Sequence, residues 1–263
     1  MDGRPGQVSE ASATVSTLAA PGAPGQVVAV DGSVAIATAP RQRWRLVLAR
    51  ASSPDAVSGR ELTEAWDGAV ESTGLPLHRG AGRPKARVQF GAPVPGTIAL
   101  EHELADVVLA ALVPRWQMRE ALQPVVLDGW RLIDLYDVWP GEPPLAGQIA
   151  AADYRIEIDG AAAPELAAAA ARLLGVRSLP RDKLKGTETV RYDLRPLVAD
   201  VAVVGDGAPV VVRIRTRFDP ALGTGRPEEV VAALGDVMGH ALEVRSTVRE
   251  RLVTHGDLDA PAP

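Results

Sequence analysis

From residue 41 charged and apolar positions alternate, Arg41, Arg43 and Arg45 with Trp44, Leu46 and Leu48. That period of two predicts a half-buried strand. The period then lengthens. Ser58-Gly-Arg-Glu61 has the spacing of a capping box, and Leu62, Trp66, Ala69 and Val70 fall on one face of the helix it opens, which Gly74 ends. A basic loop leads to a strand at Arg87-Val-Gln-Phe-Gly, and Leu104 to Leu112 reads as another. Pro114 to Leu122 fits a short helix with proline in its first turn, and Trp130 to Trp139 a strand.

The same order of elements follows again. Tyr154 to Ile158 is a strand, and Pro164 to Leu174 a helix with Gly175 beyond its end. Thr189 to Val204 and Val210 to Phe218 are strands joined at Gly205-Asp206-Gly207. Pro227 to Met238 is a helix and Leu242 to Val253 a final strand, with Pro140–Pro144 as the junction of the two halves. The expectation is therefore an α+β fold: two tandem ferredoxin-like (βαββαβ) halves with antiparallel sheets, spanning 41–140 and 141–255. The repeat is one of element order, not of residue identity.

Residues 1–40 carry almost no large apolar side chain before Val27, so they cannot offset their ordering entropy by burial. They are expected to be a disordered arm, with a loosely extended piece from Val27 to Ile36, and 256–263 a tail. The chain as a whole is rich enough in apolar residues, 46% of 263, to bury a sizeable core. No apolar run approaches the length of a membrane span, and the first residues have no secretory pattern. A soluble, cytoplasmic protein is expected. Absence of cysteine removes thiolate metal sites, cysteine nucleophiles and cysteine-held iron–sulfur clusters.

The net charge of −5 argues against indiscriminate binding to nucleic acid but allows a local basic patch. The only lysines, Lys85, Lys183 and Lys185, all sit in short basic loops. Arg79, Arg83, Lys85 and Arg87 form one loop, whose glycines let a ligand approach the backbone closely. Arg181, Lys183 and Lys185, with Arg177 and Arg191, occupy the corresponding loop of the second half. Two such loops can clamp one polyanion if the fold places them on the same side. Arg41, Arg43 and Arg45 share one strand face, a track for single-stranded RNA if that face is open, although no aromatic alternates with them. Arg213, Arg215 and Arg217 repeat the pattern, but there the expectation is cross-strand pairing with Glu157 and Asp159.

No catalytic constellation stands out. The four histidines, His78, His102, His240 and His255, lack metal-ligand spacing. Strand alternation puts Glu101 and Glu103 on one side and His102 on the other, best read as a surface loop or strand edge. The Gly-x-Gly fragments lack the context of nucleotide loops. No metal and no cofactor is expected.

Several segments together resemble the radical SAM-linked protein family, a bacterial domain of unknown function encoded beside, or fused to, a radical SAM protein. They are Arg43-Trp-Arg-Leu, Gly74-Leu-Pro-Leu, Val88-Gln-Phe-Gly-Ala-Pro-Val-Pro-Gly, Ile149-Ala-Ala-Ala-Asp-Tyr-Arg-Ile-Glu and Asp193-Leu-Arg-Pro-Leu. The resemblance covers roughly 41 to 253. Its gene neighbourhoods, with a ribonuclease of the E/G type and ribosomal protein genes, imply RNA-related work. Family members typically read Ser-His-x-Asp where this chain reads Ser58-Gly-Arg-Glu61, and Gly-Phe-x-Pro-x-Pro where it reads Gly80-Ala-Gly-Arg-Pro84. Any chemistry of that histidine in relatives is absent here. The reading is a non-catalytic accessory protein that binds RNA, a radical SAM partner, or both. One alternative is a metal-independent, endoribonuclease-like enzyme with His78 as base and Arg83 or Lys85 stabilising negative charge. The other is a pure protein-interaction scaffold.

Overall fold

The computed structural model describes residues 27–30, 33–36, 42–53, 55, 57–80, 86–185 and 188–258. Most of the expected arm, Arg41, and the end of the expected tail lie outside them. Within the arm β1 (Val27–Val30) and β2 (Ser33–Ile36) pair antiparallel as a separate two-stranded sheet.

The first half comprises β3 (Gln42–Arg50), α1 (Gly59–Glu71), β4 (Gln89–Phe90), β5 (Ala99–Leu109), α2 (Arg115–Leu122) and β6 (Trp130–Val138). The second comprises β7 (Ile149–Asp159), α3 (Ala163–Gly175), the hairpin β8 (Pro180–Lys185) and β9 (Glu188–Asp193), then β10 (Val198–Val204), β11 (Val210–Asp219), β12 (Gly223–Thr224), α4 (Pro227–Met238) and β13 (Glu243–Thr254).

One sheet runs through both halves in the order β10-β11-β7-β13-β5-β3-β6, with β12 on β11 and β4 on β5. Every pairing in it is antiparallel except β13 with β5. The protein is thus α+β with a mostly antiparallel sheet. The seam has a local cause. The two residues of β4 pair only with Asp106 and Ala105, so the other end of β5 keeps a free edge. There β13 adds in parallel, Val248 opposite Ala99 and Arg249 opposite Leu100.

Each half packs its helices on one sheet face. Leu62, Trp66 and Val70 of α1 and Met118 and Leu122 of α2 meet Trp44, Leu46 and Leu48 of β3. Trp66 stands edge-on to Trp130, 5.4 Å between centroids at 87°, a favoured aromatic geometry. The capping box forms as its spacing predicts: Ser58 accepts from the Glu61 amide, and Glu61 accepts from the Ser58 amide. In the second half Leu166, Ala169, Ala170 and Leu173 of α3 and Val230 and Leu234 of α4 cover Ile156, Ile158, Val212 and Ile214. α4 ends at Gly239, whose φ of 84° is the left-handed cap that favours glycine.

Two strands differ from their expected extents. Thr189 to Val204 is broken into β9 and β10, because Asp193 accepts from the Leu179 and Arg195 amides and Pro196 sits in a single 3₁₀ turn. β5 begins at Ala99, five residues before the expected Leu104, behind a bulge that disrupts its alternation. Among the described residues no helix is long and apolar enough to cross a membrane.

Candidate functional site at the end and seam of the sheet

β3 is antiparallel to β5, β5 parallel to β13, and β13 antiparallel to β7, so β3 and β7 point the same way. α1 and α3 return along them. The chain therefore leaves both helices at the same end of the sheet, and both basic loops start there. Arg87 and Arg177 are exposed, and neither has an ion-pair partner among the described residues. Arg79, half a loop away, is held by Glu71 at 2.7 Å. Arg181 is held by Asp236 at 2.5 Å, because the β8–β9 hairpin folds back onto α4, where Tyr192 also donates to Glu229. Arg83 and Lys85 lie outside the described residues, and of Lys183 and Lys185 only the backbone is described. His78 sits beside the Leu77–Leu109 bridge, its amide bonded to the Val108 carbonyl at 2.8 Å. Among the described residues no group of three or more His, Asp and Glu side chains can hold a metal ion.

The arginine strand β3 is not an open track. Arg43 and Arg45 are 7% and 5% exposed. Register puts Asp106 of β5 directly opposite Arg45, and the two make a fork of 2.8 and 3.1 Å. Arg43 donates to the carbonyls of Trp139, Glu142 and Pro143, which ties the connection between the halves to β3. A buried cation needs such partners, so β3 reads its arginines inward.

The second arginine strand does pair with acids of its neighbours, but not with Glu157 and Asp159. Register places Arg215 opposite Asp153 and Arg213 opposite Arg155. Asp153 accepts from Arg215 at 2.6 Å and from Arg251 at 2.8 Å. Glu250 lies 2.5 Å from Arg155 and 3.6 Å from Arg213. Glu157 and Asp159 face Ser246 and Arg245 of β13 instead. Burial alone would raise the Asp153 carboxyl, but the hydrogen bonds from Arg215 and Arg251 hold it below the ordinary aspartate range.

Glu101 and Glu103 do not share a side. Leu48 pairs with Glu103 but Arg50 with Leu100, two steps on β3 against three on β5. That bulge turns Glu101 to Arg155, at 2.6 Å, and Glu103 inward, 1% exposed, onto Arg249 of β13. Burial pushes the Glu103 carboxyl up, while Arg249 and Arg50 act the other way. Burial and the neighbouring Arg249 pull Arg50 below its usual value. Arg50 stacks over Trp130, 5.3 Å from its ring centre. These two arginines hold the loop before β5. Arg50 donates to the Pro95 and Ile98 carbonyls, and Arg249 to that of Pro93. Strand spacing offered no signal for this cluster, since Glu103 and Arg249 stand 146 residues apart.

The chemistry on display is internal pairing across an α+β sheet, with free cations at one end and a buried charge cluster at the seam. These features place the protein in the α+β class with a mostly antiparallel sheet. The chain belongs to the bacterial family described as "Uncharacterized protein conserved in bacteria (DUF2344)", which matches residues 43–232. No curated protein matches it. Among solved structures it is similar to a chain in the crystal structure of a Cbf5-Nop10-Gar1 complex, with 9% identity and a TM-score of 0.42. That likeness covers 78% of this chain and 48% of the other, so the chain spans about half the length of its neighbour.

Proposed function

We propose that the protein is a non-catalytic accessory factor that binds RNA at the end of the sheet from which both basic loops emerge. The observation that carries this reading is the shared direction of β3 and β7, which brings the Arg87 and Arg177 segments to one end. We also infer that the halves are two ferredoxin-like units. What supports this is the strand order: β4-β5-β3-β6 and β10-β11-β7-β13 each correspond to second, third, first and fourth strands of a βαββαβ unit. The resemblance drawn from the sequence adds a radical SAM protein as the partner to which RNA is presented, in the cytoplasm. Because this chain has no cysteine, the iron–sulfur cluster of such an enzyme belongs to the partner.

The test is binding of the full chain to labelled bulk RNA over a range of salt, with and without Arg87→Ala and Arg177→Ala. Electrostatic contact predicts a log–log salt slope that falls by about 0.7 for each phosphate contact removed from a single strand. No binding at low salt would refute the reading and leave the scaffold alternative, which co-purification of a protein partner without RNA would favour.

A further inference from the structure

The seam of the two halves encloses a cavity of about 530 Å³ on the helix-bearing side of β7 and β13. Its walls are the Pro93–Ile98 loop of the first half and the β12–α4 corner of the second, and Tyr154, Phe218 and Arg249 also line it. We propose that this cavity binds a small phosphate monoester carrying a flat ring, a nucleoside 5′-monophosphate in size and chemistry. The proposal does not rest on RNA binding at the basic loops.

Three independent features meet here. The first is buried charge. Arg249, which lines the cavity, and its neighbours Arg50 and Glu103, which do not, are 2%, 7% and 1% exposed, two cations against one anion. Burying a net charge is costly unless a counter-charge completes it, and the Pro93, Pro95 and Ile98 carbonyls supply only dipoles. The Arg249 Nε, on a side chain that lines the cavity, has no hydrogen-bond partner among the described residues. The second feature is the start of α4. Pro227 has no amide hydrogen, the Arg226 N-cap supplies no side-chain cap, and the Glu229 and Val230 amides already return to the Arg226 carbonyl. The Glu228 amide is left at the positive end of the helix dipole, and the exposed Arg226 lines the same cavity, a combination that suits a phosphate. The third is shape. Tyr154, Phe218, Val94 and Ile98 give the flat apolar surface on which a base stacks, and the Glu228 carboxylate can accept from ribose hydroxyls. Gly225 lets this corner close, since a Cβ there would stand 2.6 Å from the Leu197 carbonyl oxygen.

A larger hollow of about 700 Å³ along α4 shows the contrast. Its lining carries Glu228, Asp236 and His240 but no arginine or lysine, so acidic charge predominates there.

The experiment is isothermal titration of the full chain with AMP, GMP, CMP and UMP, and separately with inorganic phosphate and with the parent nucleosides. At least one monophosphate should bind in the micromolar range, with phosphate alone and nucleoside alone each roughly tenfold weaker or more. Arg226→Glu and Thr224→Trp change exposed lining positions and should each weaken binding roughly tenfold while leaving the melting temperature unchanged. Arg87→Ala and Arg177→Ala should leave it untouched, which separates this site from the basic loops. No binding by any monophosphate at millimolar concentration would overturn the proposal. So would inorganic phosphate binding as tightly as the nucleotides, or affinity unchanged in both lining variants.

Discussion

Glu103→Gln isolates the energetics of the seam. Glutamine keeps the volume and one acceptor oxygen of glutamate, so the change opens no cavity and removes only charge. In the native protein Glu103 answers Arg249 directly and Arg50 nearby, all of them buried. Without it two guanidiniums remain buried near each other, answered only by the Pro93, Pro95 and Ile98 carbonyls. Removing one member of a buried ion pair costs about 3–5 kcal/mol, because the surviving charge keeps its desolvation penalty. A domain has only about 5–15 kcal/mol in total, so the variant should lose roughly a fifth or more of its stability. At about 2–4 °C per kcal/mol for a chain of this size, that is a fall of roughly 6 to 20 °C in Tm. Urea unfolding followed by tryptophan fluorescence reads it, since Trp130 stacks beneath Arg50. Combining Glu103→Leu with Arg249→Met should recover at least half of the loss, since it removes a cation together with the anion. A cost below about 1 kcal/mol for Glu103→Gln, the range of exposed pairs, would refute the reasoning. So would a double variant no more stable than the single one.

Three further outcomes are expected. The Asp153 carboxyl is held low when folded, so its contribution is present above the ordinary aspartate pKa, about 3.9, and is lost as pH falls through the folded value. The stability advantage of wild type over Asp153→Asn in urea should therefore be full at neutral pH and shrink only in acid below about pH 4; an advantage independent of pH would exclude this assignment. Gly225→Ala should destabilise by about 1–3 kcal/mol, because the carbonyl that its Cβ meets at 2.6 Å is backbone and cannot swing away. Thermal melting decides it, a neutral result showing that the β12–α4 corner is free to shift. Ser58→Ala should cost about 1 kcal/mol through loss of the reciprocal cap of α1, and an unchanged urea midpoint would show that packing of Trp66 alone holds the helix.

The local rules read well wherever one residue's neighbours along the chain determine the outcome. The capping box at Ser58, proline at the head of α2, and the alternation of β3 and β11 all produce the elements they signal. Alternation also says correctly that Arg43 and Arg45 share a side, yet it cannot say what lies over that side. Asp106 opposite Arg45 and the Trp139–Pro143 carbonyls around Arg43 are decided by register and by the route of the connection. The bulge at Glu101 and His102 breaks the period of two at the place where the chain turns an acid inward, so regular alternation misplaces Glu103. The cavity is less legible still. Its walls come from the Pro93–Ile98 loop, β7, β12, α4 and β13, and no window of sequence contains more than one or two of them.

The strand that closes the seam follows every other strand of the sheet in the chain. During synthesis the first half leaves the ribosome with one edge of the Ala99 end of β5 unpaired, and that edge must wait roughly another 100 residues for β13. An unpaired strand edge is where one nascent chain pairs with the next. The protein's most exposed moment thus falls between the birth of its two halves, and its final strand also acts as the cover for its earliest vulnerable edge.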